Sequence, residues 1–204
     1  MDGTTLARAA DECGGFLRAA ADREWAAIPV PGMDRNVAQV VAHISECLFW
    51  YSTDLVAGDR ELDTVEMSVR PGSEPADLVA TLATSAALLT RVVDTTPPEA
   101  RGWHPHGLAD ASGFAAMACD ELLVHTADAG HALGRAFTPS ADLAEATLRR
   151  LFPWAPSGTD PWTTLLWANG RADLPGHERQ IGWRWHCAPL AEWDGTNPAH
   201  RPPT

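Results

Sequence analysis

At 204 residues, 45% hydrophobic and 21% charged, the chain is long enough to bury a core without disulfide staples and too apolar to be disordered. Its formal net charge is −12, all 15 basic residues are arginine and no basic block occurs, so the electrostatic footprint needed for nucleic acid is missing. Cys13, Cys47, Cys119 and Cys187 form no C-x-x-C pair, no leader pattern opens the chain and no apolar run looks long enough to span a membrane; a reducing cytoplasm without membrane contact is expected.

Over residues 4–27, apolar residues recur at Leu6, Ala9, Cys13, Phe16, Leu17 and Ala20, the period of a first helix weakened only at Gly14-Gly15. The turn PVPGMD follows, and Asp34 is the expected N-cap of a second helix running to about residue 57, with His43 in its middle. A polar stretch, GDRELDTVEMSVRPG, leads to a third helix striped by Leu78, Leu82, Ala86, Leu89 and Val93. After the loop TTPPEARGWHPHG, Asp110 or Ser112 can cap a fourth helix carrying FAAMACDELLVHTADAGHALG, which Gly134 ends.

Each segment has one apolar stripe, so the fold class expected is all-α, an antiparallel four-helix bundle over residues 1–138. Beyond Pro139 a shorter helix over 142–151, then DPWTTLLWANG and the strand-like IGWRWHCAPL, make an extension over 139–193. It holds Trp154, Trp162, Trp167, Trp183 and Trp185, which either wall a pocket over the bundle mouth or cover the helices, the latter favoured. Arg171 and Arg184 suit carboxylate anchoring or, more simply, exposed ion pairs. Residues 194–204 read as a mobile tail.

Glu121 and His125 stand four apart, so they project from one helical face and offer an oxygen and a nitrogen to one point. Asp128 extends that face, and burying three such groups unpaired is costly. A cation resolves the cost, since two histidines and a carboxylate make a common three-ligand set with an open position. The stripe Val40, His43, Cys47, Trp50 makes His43 the best third ligand. Against this, an exposed Glu–His pair and a hydrogen-bonded core histidine account for the same residues without an ion.

The stretch VAHISECLFW, about eighty residues ahead of DELLVHTADAGHALG, resembles the paired signature of DinB-like metal-binding bundles. Within these it is most similar to the mycothiol-dependent maleylpyruvate isomerase family of actinobacteria. Ala42, His43 and Ile44 match the family's A-H-[IL] motif; Glu121, His125 and Asp128 match its E-x-x-x-H-x-x-D motif. The resemblance implies His43, Glu121 and His125 as ligands of zinc or another divalent metal. It also implies mycothiol as co-substrate, and a transferase or isomerase activity joining a small thiol to a small electrophile, in a monomer or homodimer. Asp128 is the candidate catalytic residue, acting at the site directly or by orienting His125.

Two rivals are metal-assisted hydrolysis, with Asp128, His104 or His106 as base, and a structural metal closed by Cys47 as fourth ligand. His104 and His106 flank Pro105 and read as solvated loop residues, and Cys47 reads most simply as a small core residue.

Overall fold

Residues 1–200 are described by a computed structural model, in which six α-helices follow one another: α1 (Gly3–Arg18), α2 (Val37–Ala57), α3 (Pro75–Thr95), α4 (Ala111–Ala132), α5 (Ala141–Leu151) and α6 (Pro161–Ala168). α1 and α2 each pack against both α3 and α4, which makes the four-helix bundle, and α5 rests on α4 and α6. The stripes supply the core: Leu6, Leu17, Ile44, Leu48, Leu82, Leu89 and Phe114 are fully inaccessible. Each such side chain contributes roughly 1.5–3 kcal/mol relative to exposure.

Cross-contacts give the helix directions. His43, Tyr51 and Leu55 on α2 lie opposite His125, Glu121 and, through Gly102, Phe114 on α4, so this pair is antiparallel. The Gly3 N–H donates to Asp94 at the far end of α3, so α1 and α3 are antiparallel as well. Met1 reaches Ser112, and Cys13 donates to the Leu122 carbonyl, so α1 and α4 run the same way. The long 58–74 connection carries the chain back along the bundle to start α3 beside α2.

Several boundaries differ from those read in the sequence. α1 stops at Arg18, not near residue 27, because the chain turns and the Trp25 indole donates to the Ala20 carbonyl. The N-cap of α2 is Asn36, whose side chain and that of Gln39 satisfy each other's backbone N–H in a capping box. Asp110, not Ser112, caps α4, and Gly134 follows its C-terminus with φ 67°. DPWTTLLWANG contains α6, capped by Asp160. α3 is long and apolar enough to cross a bilayer, which the sequence reading missed; Leu78, Leu82 and Leu89 on it are buried inside the protein.

No strand forms in 181–190 among the described residues. The expected alternation is absent, since Trp185, His186 and Cys187 are buried in succession and Ile181 is exposed; the segment lies across helices rather than beside a strand. Its backbone is held by Arg150, which donates to the carbonyls of His186 and Cys187 and pairs with Asp110, and by the His186 N–H, which donates to Leu151. Asp120 on α4 accepts from the Trp185 indole at 3.0 Å and from Asn169 at 2.9 Å, tying the extension to the bundle a second time. Residues 194–200 contain a short helical turn (Pro198–His200); the tail's last residues, 201–204, lie outside the described residues.

Candidate metal centre

α2 presents His43, Cys47, Tyr51 and Asp54 along one side, at the three- and four-residue steps of a single helical face. α4 answers with Glu121 and His125, one turn apart. His43 Nε2 is 3.8 Å from Glu121 Oε2, and His125 Nε2 is 3.1 Å from the same oxygen. The two imidazoles stand edge to face, ring centroids 5.2 Å apart. One donor atom from each of the three residues lies within 4.8 Å of the others.

Glu121 Oε2 is buried and accepts no hydrogen bond, because the 3.1 Å approach of His125 lacks hydrogen-bond alignment. A buried carboxylate oxygen that faces two imidazole nitrogens without a well-aligned hydrogen bond is suited to a divalent cation. The donor set fits zinc or a similar ion.

Electrostatics point the same way. Burial opposes protonation of His125, but its hydrogen bond with Asp128 and the adjacent Glu121 outweigh burial and raise its pKa to about 9. Burial, assisted by His125, lowers the pKa of His43 against the pull of Glu121. Burial would raise Glu121, yet the two histidines and Tyr51 together bring its pKa below the ordinary value. The pocket thus keeps a buried carboxylate ionised, with His125 as its cationic partner and His43 held neutral.

Three groups surround the converging donors. Asp128 Oδ2 lies 3.0 Å from His125 Nδ1, the orienting position expected from sequence, and Arg171 reaches the same oxygen at 3.4 Å. Arg171 therefore braces the centre rather than forming a solvent ion pair. Tyr51 donates to Glu121 Oε1 at 3.2 Å, a role the sequence reading missed because a tyrosine on an apolar stripe reads as core. Cys47 Sγ is 3.7 and 3.8 Å from the two nitrogens of His43, so it follows neither lone pair, and it is not among the three converging donors.

A cavity of about 670 Å³ opens beside Glu121 and Cys47. His104 and His106 line it, contrary to the expectation that they are solvated; burial lowers His104 to about 4 and also lowers His106. They bring donor atoms near Cys187. However, His104 Nδ1 accepts the His106 N–H at 3.1 Å and His106 Nδ1 accepts the Trp185 N–H at 3.5 Å. Backbone hydrogen bonds thus occupy these lone pairs, and both rings serve the wall as neutral groups. Trp183 and Trp185 line the cavity, whereas Trp154, Trp162 and Trp167 pack elsewhere, so the two readings of the tryptophans divide between them.

No curated protein and no solved structure matches the chain. The sequence pattern of the family described as "Mycothiol maleylpyruvate isomerase N-terminal domain" matches residues 6–130, which contain all four helices of the bundle save the first residues of α1 and the last of α4, and all three converging donors. The chain belongs to that family, and with it to the DinB-like superfamily.

Proposed function

We propose that the chain is a metal-dependent thiol transferase or isomerase. His43, Glu121 and His125 hold one divalent ion, zinc by preference, with an open position for the thiol of mycothiol. The observation that carries this reading is the convergence of His43 Nε2 and His125 Nε2 on the buried Glu121 Oε2, which accepts no well-aligned hydrogen bond. When bound, the ion stabilises a coordinated thiol as its thiolate at neutral pH.

The chain's own residues supply the rest. Asp128 accepts the Nδ1–H of His125 and so leaves Nε2 free as a donor, while Arg171 holds Asp128 in place. Tyr51 fixes Glu121 through its other oxygen. The cavity beside Glu121 holds the small electrophile and shields the nucleophile from water. Cys47 is no substitute for an incoming thiol, because burial and Glu121 hold its pKa well above the ordinary value. The four cysteines are all free, which supports a reducing compartment, taken here as the cytoplasm.

The test is metal content. Protein purified without chelator should contain about one equivalent of a divalent metal, and His43→Ala and Glu121→Ala should each lose it while remaining helical. Full metal content in both variants would overturn the reading. A cobalt-substituted sample should then gain a sulfur-to-metal charge-transfer band on adding thiol; without that band, hydrolysis or a structural ion is favoured instead.

A further inference from the structure

Asp54 lies one turn beyond Tyr51 on α2, on the wall of the cavity beside Glu121, and is 7% exposed. Its carboxylate makes no hydrogen bond or ion pair among the described residues. Asp120, the other buried carboxylate among the described residues, accepts from Asn169 and Trp185, and the less enclosed Glu121 accepts from Tyr51. A buried anion without a counter-charge is destabilising, and a site that retains one is suited to a cationic ligand.

The surroundings agree. Trp50, Trp103, Trp183 and Trp185 line the same cavity, and Trp183 and Trp185 form a tilted pair with centroids 5.5 Å apart. Aromatic faces attract ammonium groups through the ring quadrupole. Glu61 and Asp63 add further negative charge at the wall. No arginine lines the cavity among the described residues, and the chain contains no lysine. Arg184 is exposed and faces His106 from outside the lining. A dicarboxylate substrate would find no cationic partner on these walls.

We propose that this cavity binds an organic cation: the electrophile that the metal-held thiol attacks carries an ammonium or similar group, seated between Asp54 and the tryptophans. The proposal rests on the cavity being the electrophile's half of the proposed site, yet binding of the cation does not need the metal. By helix rise, Asp54 lies about 4.5 Å along α2 from Tyr51, so the cationic group sits about one turn from the residue that holds Glu121.

The probes are benzyltrimethylammonium, benzyl alcohol and benzoate, titrated into the protein as purified and again after metal removal, with tryptophan fluorescence as readout. Circular dichroism checks the fold of every sample. The ammonium is expected to bind about ten-fold tighter than the alcohol, with benzoate weakest. Asp54→Asn, nearly isosteric, should abolish the ammonium's advantage and leave the alcohol within about two-fold of its parent affinity. Trp183→Leu, on the extension rather than the bundle, should weaken ammonium and alcohol together. The proposal is overturned if benzoate binds as well as the ammonium, if Asp54→Asn keeps the preference, or if no probe binds. A cation preference in metal-stripped protein survives any failure of the metal assignment. A thiol-dependent cobalt band without the preference defeats this inference alone.

Discussion

Glu121 divides its two oxygens between two tasks: Oε1 accepts from Tyr51, while Oε2 is left facing His43 and His125. Removing the tyrosine hydroxyl frees Oε1 to rotate away from the centre, so Tyr51→Phe should weaken metal affinity about ten-fold with the helical content unchanged, as measured by competition with a chromophoric chelator. Asp54 gives a pH signature of its own. Burial, and then Glu61, raise its carboxyl from the ordinary 3.8 to about 6, so the folded protein holds that proton more tightly than the unfolded chain. The associated stability is present in full below pH 4 and is lost as pH rises through 6. Asp54→Asn should therefore be more stable than the parent by about 1–2 kcal/mol at pH 7 and little different at pH 4, read by urea denaturation. A residue kept at a cost in stability is a mark of function. Neither Tyr51 nor Asp54 was legible beforehand: one reads as core, the other as solvated helix surface. Only the facing helix gives them meaning. The convergence of His43, Glu121 and His125 could be anticipated because helical spacing puts each on an apolar stripe and the family resemblance pairs the two helices; their role as ligands is the proposal made above.

Among elements, the decisive relation is the antiparallel pairing of α2 with α4, which sets residue 43 against 125 and 51 against 121. The extension is fastened across the ends of α4 and α5 by Arg150, 5% exposed, whose guanidinium satisfies Asp110, Ser112 and two carbonyls of the 181–190 segment. Arg150→Ala removes the counter-charge of Asp110 and the side-chain donors to the His186 and Cys187 carbonyls. A loss of about 3 kcal/mol is expected in chemical denaturation, with the tryptophan emission shifted red as Trp183 and Trp185 leave the cavity wall. The helices were readable from period and caps, since stripes of Leu, Val and Ala at three- and four-residue steps have few other uses. The 181–190 segment misled because large apolar side chains spaced along a short run report only that some of them are buried. They do not say whether the backbone meets a strand or, as here, an arginine.

For the whole molecule, the bundle was legible because four amphipathic segments leave few ways to bury their stripes, although the long 58–74 connection leaves the direction of α3 open. The position of the extension was not, since it depends on two buried polar hubs, Arg150 and Asp120, that link residues 36 to 65 positions apart. If the ion bridges α2 and α4, it stabilises the entire bundle by mass action. Chelation should then lower stability by about 3 kcal/mol when the metal had been present at a hundred times its dissociation constant. The same treatment of Glu121→Ala should change nothing. The most direct test of the central claim, a three-ligand centre open to a thiol, is X-ray absorption at the zinc edge of the metal-loaded protein, with and without added thiol. Without thiol the first shell should contain only nitrogen and oxygen at about 2.0–2.1 Å, and thiol should add one sulfur at about 2.3 Å. A sulfur already present before thiol is added would mean that Cys47 closes the site, and an unchanged shell afterwards would mean that no thiol reaches it; either result contradicts the account.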